Sequence, residues 1–349
     1  MNRKLTKAIM VGSVQVGGEA PIRVQSMTNT DTRDVAATVA QIKVLADHGC
    51  EIIRVAVPDQ VAANALPGII KEIGIPLIAD IHFDHRLALA AIAAGVNGLR
   101  INPGNIGGAA KVREVVAAAK ERGVPFRIGV NAGSLEKQYL ERDGGVTAAA
   151  MVESALKHVK ILEDLNYDQL KISLKASNLR TTFEAYRAIS EVVDYPLHIG
   201  VTEAGTLGYG TIKSAIGIGI LLEEGIGDTI RVSLTGDPLH EVKAAYDILK
   251  ALGIRRRGVE IISCPTCGRT QVDLIGIAAE VEEKLRDLEK PLTVAVMGCT
   301  VNGPGEAREA DIGIACGKNE GLIFRKGLVV RKVPEAELVE EFLHEINEL

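Results

Sequence analysis

Cys264 and Cys267 form a C-x-x-C pair in SCPTCGRT (263–270), and after 31 intervening residues a third cysteine, Cys299, stands in VMGCTVNGPGEAREADIG (296–313). Thiolates are soft ligands, so this pair with a distant third cysteine among Gly and Pro turns is a pattern for a metal ion or cluster. A zinc ribbon needs a second C-x-x-C or a nearby histidine, and the one histidine of this region, His344, lies close to the C-terminus. A redox dithiol leaves Cys299 unused. An iron–sulfur cluster fits best, with Cys316 and the carboxylate Glu306 as candidates for its fourth position. A carboxylate or open fourth site lets one iron act as a Lewis acid on a substrate oxygen, whereas four thiolates suit electron relay alone. Cys316, in the apolar run IGIACG, reads as a buried small side chain.

A second set of reactive residues lies upstream. Arg54, Arg100, Arg127, Lys171, Lys175 and Arg231 sit inside or at the ends of β-branched apolar runs. A cation buried in such a run needs a partner, because burying it alone costs several kcal/mol. Glu51, Asp80 and Asp168 can pair with individual members, but the set as a whole points to an anion site. Lys171 is its weakest member, lying well before the end of its run. Arg binds phosphate oxygens bidentately, so a phosphate-bearing substrate suits the group. Gly- and hydroxyl-rich segments, TEAGTLGYGT (202–211), SLTGDP (233–238) and NPGNIGG (102–108), can add backbone N–H donors. Asp80, His82, Asn131, His198 and Glu203 fall in the same places and are candidates for acid–base work. Glu203 is a lone carboxylate beside a phosphate-type loop, although acids at helix N-termini are also common.

The elements that must position these groups alternate. Strand-like runs at 22–27, 51–57, 76–82, 98–102, 126–131, 169–175, 196–201 and 229–234 are separated by segments of helical periodicity, many ending at Gly. Eight strands each followed by a helix, over roughly 250 residues, is the rhythm of an α/β (β/α)₈ barrel, whose C-terminal strand ends carry the active site. A doubly wound sheet also alternates, and the count of eight favours the barrel. The rhythm changes after Gly253. Strands are expected at 259–263, 292–298, 311–315 and 321–331, with helices at 272–290 and 334–349, giving a barrel over 1–253 and a small α+β domain over 254–349.

The chain has 349 residues, 47% hydrophobic and 24% charged, with net charge −5. That balance excludes a disordered chain and disfavours nucleic-acid binding. No apolar stretch is long enough for a signal peptide or membrane span, so a soluble cytoplasmic protein is expected.

CPTCGR and MGCTVNGPGEAREADIG, behind a barrel carrying VQSMTNTDT, RINPGN and TEAG, closely resemble the bacterial 4-hydroxy-3-methylbut-2-enyl diphosphate synthase family over essentially the whole chain. The resemblance implies a [4Fe–4S] cluster held by Cys264, Cys267, Cys299 and Glu306. It implies reductive opening and dehydration of 2-C-methyl-D-erythritol 2,4-cyclodiphosphate, with electrons from flavodoxin or ferredoxin. It further implies a homodimer in which the cluster domain of one subunit closes over the barrel of the other. On this resemblance Arg54, Arg100, Arg127, Lys175 and Arg231, with Asn131 and Ser233, hold the diphosphate. Glu203 handles a proton near the departing hydroxyl, and Asp80 and His82 orient substrate or its contacts. Other barrel enzymes with pterin or corrinoid chemistry, sirohaem reductases and a zinc-stabilised binding protein are the rival readings.

Overall fold

Short apolar runs cut by capped helices build the N-terminal part of the computed structural model, which describes residues 3–270, 272–286, 288–299 and 308–349. A hairpin of β1 (Ile9–Val11) and β2 (Val14–Val16) comes first. Then follow β3 (Arg23–Met27), β4 (Ile52–Ala56), β5 (Leu77–Asp80), β6 (Gly98–Arg100), β7 (Phe126–Asn131), β8 (Leu170–Lys175), β9 (His198–Ile199) and β10 (Thr229–Ile230). These eight pair in parallel in the order β8-β7-β6-β5-β4-β3-β10-β9. A bridge between Ile172 and Leu197 joins β8 to β9 and closes the ring. The expected (β/α)₈ barrel is the architecture found.

Helices follow each barrel strand: α1 (Val35–Asp47), α2 (Gln60–Glu72), α3 (His85–Ala94), α4 (Ala109–Arg122), α5 (Lys137–Asp143) with α6 (Ala148–Glu163), α7 (Leu179–Val192), α8 (Leu207–Glu223) and α9 (Pro238–Ala251). Asp34, Asp59, Thr147 and Asn178 cap α1, α2, α6 and α7 by accepting an N–H of the first turn, satisfying donors that otherwise lack partners. The N-terminal hairpin was not foreseen, because three-residue strands are too short to carry a period. Its Ile9, Val11 and Val16 pack with Ile52 and Ile78 in one buried cluster.

The chain divides into Met1–Leu252 and Gly253–Leu349. In the second unit β11 (Val259–Ser263), β12 (Leu292–Met297), β13 (Ile312–Cys316), β14 (Glu320–Arg325) and β15 (Leu328–Pro334) form a five-stranded sheet in chain order. The first three strands run parallel and the last two antiparallel. The expected strand over 321–331 is instead the hairpin β14–β15. Its turn falls at Lys326 and Gly327, both left-handed at φ 47 and 77, the conformation that two-residue hairpin turns require. The helix expected over 272–290 is α10 (Leu274–Leu285), and the terminal helix α11 begins only at Leu338 and ends at Asn347.

Leu274, Val281 and Leu285 of α10 and Leu338, Phe342 and Ile346 of α11 bury their apolar stripes on Val294, Val296, Ile312, Ile314 and Ile323. Phe342 is fully buried there, so Phe342→Ala should destabilise this unit by about 3–5 kcal/mol through lost transfer energy and an unfilled cavity. Urea unfolding followed by circular dichroism measures the loss, and a change below about 1 kcal/mol would mean that the α11 contact is loose.

Candidate active site

Asp80, Arg100, Arg127 and Lys171 are register partners across the adjacent strands β5, β6, β7 and β8. In-register neighbours point to the same face, so one row of ionisable side chains runs around the barrel interior. Strands of a barrel are staggered, and the row therefore begins at the end of β5 but reaches only the second residue of β8. Lys171 thus lies deep, donating to Gln25 Oε1 at 3.3 Å, and does not belong to the mouth. Lys175, at the end of β8, and its register partner Asn131 do.

The interior carries more positive charge than its carboxylates balance. Asp80 Oδ2 lies 3.6 Å from Arg54 Nε, and Oδ1 lies 3.4 Å from Arg100 Nη1 and 3.5 Å from His82 Nε2. Glu241, on α9, lies 3.7 Å from Arg231 Nε. Among the described residues Arg127, Lys171 and Lys175 have no carboxylate in ion-pair reach. The other expected partners are engaged elsewhere: Glu51 pairs with Arg23 and Asp168 with Lys7. Among the described residues, buried Arg127 Nε and Nη1, Arg100 Nε and Arg231 Nε find no hydrogen-bond acceptor. Arg54 donates Nε and Nη2 to Met27 Sδ at 3.1 and 2.8 Å, a weak acceptor for a charged donor.

The titration of these groups follows. Burial, then the guanidiniums of Arg54 and Arg100, pushes Arg127 well below the usual arginine range. Burial, then Arg127 and Arg231, does the same to Lys175. Burial, then Arg127 and Arg54, brings Lys171 down to about 7. Burial alone would raise Asp80, but Arg54, a hydrogen bond from His82 and Arg100 together hold it below the ordinary carboxylate range. Unfilled guanidinium forks inside a low-dielectric barrel are the donor set that a multiply charged anion completes.

Small residues make the room. A Cβ on Gly129 would stand 2.8 Å from Arg100 Nε, and one on Gly200 would stand 2.8 Å from Lys175 Nζ. Arg100 Nη2 donates to the Gly129 carbonyl at 3.0 Å. Asn102 pairs with Gly129 through both its donor and its acceptor, fixing the loop after β6. The N–H of Gly104 donates to His158 Nδ1 at 3.1 Å, so the NPGN turn does not offer that donor to a ligand. Thr206 and Thr235 bridge the loops after β9 and β10.

Ser233 is half-buried in the second of these loops and Glu203 is exposed in the first. Glu203 adopts φ 53, a left-handed conformation that non-glycine residues take at a cost and that often marks a working site. His82 is 56% exposed and lies 3.1 Å from Arg100 Nη1 through Nδ1. His198, expected at the rim, is instead fully buried, which rules it out as a proton donor to solvent or substrate. Glu241 had no sequence signal beyond that of a first-turn helix acid. It accepts from Ser26 Oγ and from the Leu234 N–H, and so ties β3, the loop after β10 and Arg231 together.

In the second unit Cys264 follows β11 and Cys299 follows β12, two paired parallel strands. The Gly298 N–H donates to Cys264 Sγ at 3.2 Å, a contact that stabilises a thiolate. Cys267 is exposed, and hydrogen bonding from the backbone and side chain of Arg269 lowers its titration. Arg269 also feels the thiols of Cys264 and Cys299, so the three cysteines share one cation. Among the described residues no three His, Cys, Asp or Glu side chains gather closely enough for a single metal ion. Ligands of a multi-iron cluster stand farther apart, and thiols at the ends of two paired strands with an exposed third beside Arg269 are the residue types such a cluster needs. Cys316 is buried in the apolar core of the sheet and burial pushes it up to about 11, as expected of a packing residue. Glu306 lies outside the described residues.

Comparison with known proteins finds the GcpE TIM-barrel domain over residues 6–246 and the GcpE protein C-terminal domain over 260–348. A Geobacter sulfurreducens protein named 4-hydroxy-3-methylbut-2-en-1-yl diphosphate synthase (flavodoxin) is 62% identical, covering 99% of this chain and 98% of its own. A Clostridium perfringens protein of the same name is 62% identical, covering 98% of each chain. Among solved structures, a Xanthomonas albilineans dihydropteroate synthase shares the barrel at TM-score 0.51 and 14% identity, covering 71% of this chain and 97% of its own. That likeness concerns the fold alone. Among the described residues no helix is long and apolar enough to cross a membrane.

Lys171 titrates near 7 when folded and near 10.5 when unfolded. Between those values the unfolded chain binds more protons, so stability rises with pH. Lys171→Met should raise the melting temperature at pH 7 and flatten this rise by an amount on the order of a few kcal/mol. Thermal denaturation at pH 7 and pH 9 reads both effects, and a variant with an unchanged slope would show that Lys171 is not the group responsible.

Proposed function

The chain belongs to the GcpE family, and from that membership we propose that it carries out the reaction for which its relatives are named. It converts 2-C-methyl-D-erythritol 2,4-cyclodiphosphate to 4-hydroxy-3-methylbut-2-enyl diphosphate, an iron–sulfur-dependent reductive ring opening with loss of water in isoprenoid biosynthesis. The single observation that carries this reading is the set of buried guanidinium donors of Arg100, Arg127 and Arg231 left without an acceptor among the described residues, beside a cationic excess over the nearby carboxylates.

Arg54, Arg100, Arg127, Lys175 and Arg231, with Asn131 and Ser233 at the strand ends, hold the diphosphate. Asp80, clasped by Arg54 and Arg100, keeps these two forks splayed rather than collapsed on one another, and His82 buttresses Arg100. Clamping both phosphates turns the carbon skeleton toward the mouth and fixes which C–O bond is presented. Glu203, standing at the rim on its left-handed turn, holds the proton that leaves with the hydroxyl as water. Asp80 is held ionised, so it cannot supply that proton.

Cys264, Cys267 and Cys299 are the ligands we assign to a [4Fe–4S] cluster, with Glu306 as the fourth by resemblance. Bound there, the cluster supplies two electrons, one at a time, and a Lewis-acidic iron. The relatives' name carries flavodoxin as donor, and flavodoxin or ferredoxin is the partner proposed here. Arg269, near all three thiols, offsets the negative charge that thiolates and sulfides bring.

Anaerobically isolated protein should contain about four irons and four acid-labile sulfides, and the EPR spectrum of its reduced form should change when the cyclic diphosphate is added. Zinc without sulfide would overturn the reading. Glu203→Gln should keep substrate affinity while kcat falls by about 10²–10⁴-fold, the usual worth of a positioned proton donor, and near-normal turnover would remove Glu203 from that role.

The proposed assembly is a homodimer that joins the cluster of one copy to the barrel of the other. Mixing inactive Arg127→Met with inactive Cys267→Ser protein should then recover roughly a quarter of wild-type activity, as random reassortment of two-fold dimers requires. No recovery despite subunit exchange, followed by native mass spectrometry, would place both halves of the chemistry in one chain.

A further inference from the structure

We infer that His198 is a positioning residue for the diphosphate site: its neutral imidazole carries its proton on Nδ1, accepts a hydrogen bond from Lys175 at Nε2, and so aims that ammonium at the substrate. The inference rests on reading the barrel mouth as a diphosphate site, and it gives work to a histidine that no substrate can reach.

Four distances carry it. Lys175 Nζ lies 3.2 Å from His198 Nε2, and His198 Nδ1 lies 2.8 Å from Thr229 Oγ1. The Tyr186 hydroxyl donates to the His198 carbonyl at 2.6 Å and accepts from the Leu174 N–H at 3.1 Å, pinning β9 against β8. An ammonium has three donors and no acceptor. Once Lys175 is charged, Nε2 must therefore offer its lone pair, the ring proton must sit on Nδ1, and Thr229 must accept it. His198 and Thr229 are register partners on β9 and β10, so the pair is set by the sheet rather than by side-chain rotation.

The surroundings exclude an imidazolium. His198 is completely buried, and Lys175, Arg127, Lys171 and Arg54 all face it with like charge. Lys175 in turn faces Arg127, Arg231 and Arg54, with Glu241 the only acid among them. A lysine so placed has little reason to stay charged or to keep one rotamer without an acceptor behind it. Gly200, whose missing side chain leaves space beside Nζ, lets the ammonium lie against the β9 wall where that acceptor stands. A lone pair directed at Nζ favours the charged form that the diphosphate needs and spends only one of its three donors.

Nitrogen-15 imidazole spectra of the full-length chain saturated with inorganic pyrophosphate, which holds Lys175 charged, should show His198 as the neutral Nδ1–H form from pH 6 to 9. An Nε2–H tautomer or an imidazolium would overturn the inference. His198→Leu should weaken inorganic pyrophosphate binding, and raise KM for the cyclic diphosphate, by about ten- to a hundredfold, the span for losing a hydrogen bond to a charged group. Its kcat should change little. His198→Gln, which can place an acceptor near the same point, should restore affinity to within about threefold. Calorimetry with pyrophosphate gives the affinities, and circular dichroism reports whether each variant is folded. A folded His198→Leu protein with wild-type affinity would overturn the inference, as would equal damage in Leu and Gln variants. If His198→Leu does not fold, the imidazole spectrum and the Gln variant decide. Wild-type protein that binds no pyrophosphate and no cyclic diphosphate would instead sink the diphosphate reading, and this inference with it.

Discussion

An uncompensated positive charge inside a closed barrel is the constraint to which the rest of the first unit answers. Three cations among the described residues have no carboxylate within ion-pair reach, the acids Asp80 and Glu241 are already paired, and buried Asp228 is taken by Thr6 and the Leu197 N–H. Such an interior is costly unless an anion fills it or its lysines discharge. The ring of hydrogen bonds must therefore hold like charges apart in the free protein while leaving their donors open. Met27 as a sulfur acceptor, Asp80 as a two-armed clasp and glycines at 129 and 200 are the parts that do so. The apolar runs around them supply the rigidity, since a looser barrel would let the guanidiniums swing out to water.

The second unit is built on a different economy. Its sheet needs only its own core of aliphatic side chains from α10 and α11, and its chemistry is confined to the ends of two parallel strands. Burial sorts the cysteines there. Cys316 points into the packed face, where a thiolate is disfavoured, whereas Cys267 is exposed beside a guanidinium that favours one. The apolar run around Cys316 already set it apart in the sequence, and its burial in the sheet core bears that reading out.

Much of this was legible in the residues. Cations interrupting β-branched runs mark barrel interiors reliably, because such positions have no other way to be tolerated, and the eight-fold alternation with Gly-capped helices gives the fold. Depth was legible only in part. Lys171 stands well before the end of the run that Lys175 closes, which marked it as the weakest member of the set, but His198 lies on a run as convincing as theirs, and stagger between strands, which no single run reveals, decides which residues reach the mouth. Glu241 was hidden for another reason: an acid in the first turn of a helix is ordinary on a surface, and only the packing of α9 against β3 makes it interior. The β14–β15 turn escaped because Lys-Gly lacks the Asn-Gly signature, and the mostly apolar residues on either side of it read as one continuous strand. Three-residue strands at the N-terminus offered no period to read.

Those short strands have a consequence of their own. Ile9, Val11 and Val16 meet Ile52 and Ile78 in one buried apolar cluster, which packs the barrel on the side of the strands that precedes Arg54 and Asp80 and leaves the mouth as the polar way in. Water displaced by an arriving anion, and water released by a dehydration, must both leave past the same charged rim through which the ligand came. Traffic through one opening is sequential, so the occupant nearest the rim governs the exit of everything beneath it. On the proposed reading, a diphosphate product leaves by the way its substrate entered, so its release from the guanidiniums is a step of every turnover.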